Sequence, residues 1–125
     1  MNEEEKIRQE KLKEIMDSLK NNDMISIDKT NFYDFIAKND LCVIDFWAPW
    51  CAPCHILSPL VKDLSLKYKN VKFAKVNGDE NMELLYQYQI TGLPTVLYFK
   101  DGILVNRSVG VVPKNSLEEK LKWLM

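Results

Sequence analysis

Two cysteines three residues apart, Cys51 and Cys54, are the residues best suited to covalent chemistry in this chain. Cys51 follows an apolar run that reads as a strand and opens a stretch of helical periodicity. A thiol there faces unpaired backbone N–H groups and the positive end of the helix dipole, both of which favour the thiolate. Only the thiolate attacks a disulfide, so Cys51 is the expected nucleophile. Cys54, one turn further in and expected to be buried, is then the resolving cysteine. The i, i+3 spacing puts both sulfurs on one helix face with α-carbons about 5 to 6 Å apart, inside the window for an unstrained disulfide. Pro53 lies in the first turn, where its missing N–H costs nothing and its ring stiffens the loop, and Ala52 adds no bulk that would block a partner.

Two other uses of the same residues compete with thiol exchange. Zinc would need further ligands, but there is no second CxxC, and His55 beside Cys54 should project away from the sulfur face. Cys51 to His55 also spells the CxxCH of c-type haem attachment, but the preceding strand and the internal proline fit thiol exchange better. No metal and no bound cofactor are therefore expected beyond the redox pair itself. Three cysteines are too few and too unevenly spaced for a disulfide scaffold, and a close pair in a reducing compartment points to chemistry. The third, Cys42, reads as a small buried hydrophobe.

The elements that must position this pair follow from the pattern around it. A chain of 125 residues, 46% hydrophobic and 28% charged, suits one ordinary globular domain. Seventeen basic against eighteen acidic residues leave no global field to attract nucleic acid or an anionic membrane, so neither is an expected partner. No apolar stretch approaches the roughly 20 residues of a membrane span. Residues 1–23 form a charged extension with helical spacing of Ile7, Leu12, Ile15, Met16 and Leu19, and without the apolar core of a secretory signal; a cytoplasmic location is expected.

The compact domain should occupy residues 24–125. Met24 to Ile27 is a short strand, and Thr30 to Lys38 a helix with Asp28 or Thr30 as cap. Leu41 to Trp47 is a continuous apolar run, the look of a strand covered on both faces, and belongs at the sheet centre. From Cys51 to about Tyr68 the period is helical through Ile56, Leu57, Leu60, Val61, Leu64 and Tyr68, with a kink expected at Pro59. Val71 to Asn77 reads as a strand, Asn81 to Tyr88 as a helix, residues 91–94 as a turn and Thr95 to Lys100 as a strand. Asp101-Gly102 is a strong hairpin signal joining that strand to Ile103 through Val109, and Lys114 to Leu124 is an amphipathic helix. The order βαβαβαββα implies an α/β fold with a central mixed sheet and helices on both faces.

The segment Val43-Ile44-Asp45-Phe46-Trp47-Ala48-Pro49-Trp50-Cys51-Ala52-Pro53-Cys54 closely resembles the active-site segment of thioredoxins. The likeness continues through Phe73-Ala74-Lys75-Val76-Asn77, Gly92-Leu93-Pro94-Thr95 and Lys100-Asp101-Gly102, in family order, over about residues 24 to 125. It implies a thioredoxin-like fold and a protein disulfide reductase recycled by a reductase, acting as a monomer on disulfide-containing client proteins. Asp45 would be the buried carboxylate beneath the disulfide, Lys75 its neighbour and Pro94 the cis-proline facing the cysteines. A carboxylate in an apolar strand should have a raised pKa, suiting it to take the proton from Cys54. Leu93, before the proline, would pair with an extended client strand. The rim that meets the client would be Trp50, Ala52, Pro53, Gly92, Leu93, Gly110 and Val111, with Trp47 mainly in packing.

Ala52 stands where the family usually has glycine, and His55, read as a solvated helix residue, stands where Lys or Arg is common. An oxidase or isomerase, or a binding or chaperone module on the same fold, are the alternative uses. The whole set of Cys51, Cys54, Asp45 and Pro94 speaks against the module.

Overall fold

The computed structural model describes residues 24–125; the extension expected to be helical, residues 1–23, lies outside them. Among the described residues, five strands and four helices follow one another along the chain. They are β1 (Ile25–Ser26), α1 (Phe32–Lys38), β2 (Leu41–Trp47), α2 (Ala52–Lys67), β3 (Lys72–Asn77), α3 (Met82–Gln87), β4 (Thr95–Lys100), β5 (Ile103–Val109) and α4 (Lys114–Leu124). The strands form one sheet in the order β1-β3-β2-β4-β5. β1 and β2 run parallel to β3, while β4 is antiparallel to both β2 and β5. The sheet is therefore mixed, with β2 at its centre.

Alternation along the strands sorts side chains between two cores. Val43, Phe73, Val96 and Tyr98 pack with Leu57, Val61 and Leu64 of α2 and Leu117, Leu121 and Leu124 of α4. Cys42, Ile44, Phe46, Ala74, Val76, Leu97 and Phe99 face the other way, toward Phe32 and Ile36 of α1 and Leu84 of α3. Each face of the sheet is thus sealed by a pair of helices. Phe32 centres the second core, its ring 5.5 Å from Tyr88 and 5.8 Å from Phe99. Fully burying a Leu or Phe of this kind stabilises the fold by about 1.5 to 3 kcal/mol. By the same alternation Asp45 and Lys75 lie on the face that α2 covers, and Asp45 pairs in register with Lys75.

Asp101 (φ 52°) and Gly102 (φ 79°) both adopt left-handed backbone, the pattern of a two-residue hairpin turn whose twist matches the flanking strands. The shift in pairing between Tyr98 and Phe99 leaves Val105 as an extra residue, a bulge in β5.

Several local readings are corrected. β1 is two residues long rather than four. α1 starts at Phe32 and has no side-chain cap: Asn31 precedes it, and Asp28 instead accepts from the backbone N–H of Thr30 (2.8 Å), organising the turn. Its backbone carbonyl takes the Phe32 N–H at 2.9 Å, so the helix entry is held by main chain. Ile56 is exposed, because the buried stripe of α2 runs through Cys54, Leu57, Val61 and Leu64, and Ile56 lies about 100° away from Leu57.

Candidate active site

The site is built at the junction of β2 and α2. β2 ends at Trp47, a turn closes with the Cys51 N–H donating to Ala48 O (3.1 Å), and α2 begins at Ala52. Cys51 is the N-cap of α2, and its sulfur accepts the Cys54 N–H at 3.2 Å. That contact satisfies one of the orphan amides at the helix start and would favour a negative sulfur. Pro53 sits within the first turn, as its chemistry allows.

Cys51 and Cys54 are joined as a disulfide with α-carbons 5.3 Å apart. Both are almost fully covered, at 2% and 1% exposure, so burial does not distinguish them. Their difference lies in position, because only Cys51 caps the helix. The Cys51 sulfur also lies 3.7 Å from the Leu93 carbonyl oxygen, beside the cis Leu93–Pro94 bond. The Gly110 N–H donates to Pro94 O at 2.8 Å, tying the start of the β5–α4 connection to the same corner.

The residues expected to form the rim are exposed or half-buried. Trp50 is 71% exposed, and Ala52, Pro53, Gly92 and Val111 are exposed, with Leu93 and Gly110 half-buried. Trp50 is held by its indole N–H, which donates to Asp79 Oδ1 at 3.0 Å. Asp79 was not anticipated. It follows β3 on a turn in which Asn77 Oδ1 accepts the Asp79 N–H (2.9 Å), and nothing in the spacing of residues 50 and 79 announces that they meet.

On β2, six residues before Cys51, Asp45 is 2% exposed and its Oδ1 has no hydrogen-bond partner among the described residues. Burial raises its pKa to about 7, with the Lys75 charge pulling in the opposite direction. Lys75 is the register neighbour the resemblance implied, but its ammonium lies over the Trp47 ring, 5.4 Å from the centroid. The lysine thus serves a cation–π contact, and no ion pair to Asp45 within 4.0 Å occurs among the described residues. A carboxyl that titrates near neutral pH can exchange a proton there, which is what a base for a thiol requires.

Cys42 is fully buried at the far end of β2, its thiol donating to Asn39 O at 3.3 Å. Burial pushes that thiol up to about 11, so it is a poor nucleophile. His55 is not simply solvated: its Nε2 lies 2.9 Å from Pro49 O, and its ring packs edge-on against Trp47. Among the described residues no cluster of three or more His, Cys, Asp or Glu side chains is arranged to hold a metal ion.

The thioredoxin family model matches residues 23–123. The chain is 37% identical over 94 residues to a thioredoxin of Mycoplasmoides gallisepticum, covering 75% of this chain and 94% of that protein. It is 46% identical over 80 residues to thioredoxin 1 of Synechococcus elongatus, covering 63% and 75%. Among solved structures, oxidised mitochondrial thioredoxin 3 of Saccharomyces cerevisiae superposes with a TM-score of 0.74 at 33% identity, covering 79% of this chain and 93% of that one. A mutant thioredoxin from Halobacterium salinarum gives 0.76 at 32% identity, covering 82% and 91%.

Proposed function

The chain belongs to the thioredoxin family, a family of protein disulfide oxidoreductases, and from that premise we propose the division of labour at its disulfide. Thiol–disulfide reductase activity comes with the family and the Cys51–Cys54 pair. Cys51 is the nucleophile and Cys54 the resolving thiol. The observation that carries this assignment is the Cys54 N–H donated to the Cys51 sulfur at the start of α2, beside an exposed apolar rim.

In the dithiol form, the Cys51 thiolate attacks one sulfur of a client disulfide. A mixed disulfide forms, and the first client sulfur leaves as a thiolate that takes up a proton. Asp45 accepts the proton of Cys54, whose thiolate then attacks the Cys51 sulfur and expels the second client thiolate. Two electrons and two protons pass to the client, and the Cys51–Cys54 disulfide is left for a reductase to restore. The client approaches as an extended strand over Leu93 and Gly92, with Trp50, Ala52, Pro53, Gly110 and Val111 around it. Pro94 shapes that corner, and Lys75 fixes Trp47 beside Asp45.

The protein works as a monomeric electron carrier: one chain supplies Cys51, Cys54, Asp45 and the Leu93 carbonyl. A reducing compartment, the cytoplasm, suits a chain that keeps Cys42 as a buried free thiol. Limiting alkylation of the reduced protein tests the assignment. Iodoacetamide at pH 7 should label Cys51 at least about tenfold faster than Cys54, with Cys42 labelled only after unfolding. Labelling of Cys54 first would reverse the roles.

A further inference from the structure

The loop that carries Cys51 is short, and its backbone groups show how it is held. Trp47 O accepts from the Gly78 N–H (2.7 Å) and Ala48 O from the Cys51 N–H (3.1 Å). The next carbonyl, that of Pro49, accepts from a side chain on the helix it precedes, His55 Nε2 at 2.9 Å. A carbonyl oxygen can only accept, so Nε2 is the donor in this bond. The ring cannot swing freely either, because it packs on Trp47 with centroids 6.2 Å apart, and Trp47 is itself covered by the Lys75 ammonium. Trp47, Cys54, His55, Ser58 and Lys75 line one groove of about 220 Å³ beside the disulfide.

We propose that His55 is a positioning residue for thiol exchange: by clamping the Pro49 carbonyl to the first turn of α2, it holds the Pro49–Trp50–Cys51 corner so that the Cys51 sulfur receives the Cys54 N–H. This rests on Cys51 being the nucleophile. Without the clamp the corner has one fewer tie to the helix, and the 3.2 Å N–H contact that favours the thiolate is made for a smaller fraction of the time.

The test compares wild type, His55→Ala and His55→Gln as full chains, reading the rate of Cys51 alkylation by iodoacetamide from pH 5.5 to 8.5. Lys75 lines the same groove as Cys54 and has Asp45 as its register partner, so each variant is read as a ratio to wild type at the same pH. His55→Ala should slow Cys51 alkylation about three- to tenfold at the acid end of the range, the span that one hydrogen bond's net worth gives, and the deficit should shrink toward the alkaline end as Cys51 becomes thiolate in every variant. The glutathione equilibrium of the pair should shift toward the disulfide by a similar factor, and His55→Gln, whose amide can donate to Pro49 O, should recover most of both. An unchanged rate in His55→Ala across the whole pH range would overturn the proposal. Equal losses in Ala and Gln variants, tracking their thermal stability, would make His55 merely structural. A wild type in which Cys54 is labelled first would instead defeat the role of Cys51 and leave the His55 comparison recognisably separate.

Discussion

A Cys54→Ser variant, reduced and mixed with a disulfide-containing client such as insulin, should accumulate as a covalent adduct through Cys51, while Cys51→Ser should neither trap nor reduce it. The first step needs only Cys51, whose sulfur caps α2. The second step is intramolecular in wild type, with α-carbons 5.3 Å apart, and its loss leaves only external thiols to free the client. Converting so well placed an intramolecular attack into a bimolecular one should slow release by about 10³-fold or more. Adduct on non-reducing gels, mapped by peptide mass, checks the expectation, and insulin turnover should fall to background in both variants. An adduct at Cys54 in Cys51→Ser, with none in Cys54→Ser, would exchange the two roles.

The second large effect concerns Asp45. Its carboxyl titrates at about 7 in the folded protein against an ordinary 3.8, because it is buried with Oδ1 unpartnered. Between those values the folded state holds a proton that the unfolded state has released, so stability falls as pH rises from about 4 to about 7 and then levels. The full fall corresponds to about 4 kcal/mol, at roughly 1.4 kcal/mol per pH unit. Asp45→Asn has no carboxyl to ionise, so urea unfolding of the oxidised protein should show it gaining on wild type by about that amount between pH 4 and pH 8. The same change removes the base for Cys54. Turnover of insulin at pH 7 should drop by at least about tenfold, at the low end for a lost general base because water can still take the proton slowly. A variant stabilised equally at both pH values would show that Asp45 is already ionised when buried.

These two predictions draw on features that sequence exposes to very different degrees. Cys51, Cys54 and Asp45 are legible because each violates a local expectation: a close thiol pair at a strand–helix junction, and a charge inside an apolar strand. β2, β4, β5 and α4 fall where the apolar run, the Asp101-Gly102 turn and the amphipathic spacing put them, since those signals are local. The Trp50–Asp79 and His55–Pro49 bonds are of another kind. The first joins residues 29 apart, and the second depends on a side chain turning back over the turn before its helix. No periodicity records either. The cap of α1 was misread for a related reason: Asp28 has the chemistry of a cap, but its carboxylate is taken by Thr30 two residues on, and only the built turn shows it. The resemblance implies Lys75 as a neighbour of Asp45 and the two are register partners, yet the Trp47 ring competes for the ammonium, a contest between cation–π attraction and a buried carboxyl that composition cannot decide.

The direction in which this pair passes electrons is tested most directly by equilibrating Cys51 and Cys54 in glutathione buffers and counting thiols by mass after alkylation. A reduction potential near about −270 mV is expected, the reference value for thioredoxins at large rather than one drawn from this geometry, and it would make the dithiol a strong donor to client disulfides. A potential of about −180 mV or higher would contradict the reductase assignment and place the chain among oxidants or isomerases.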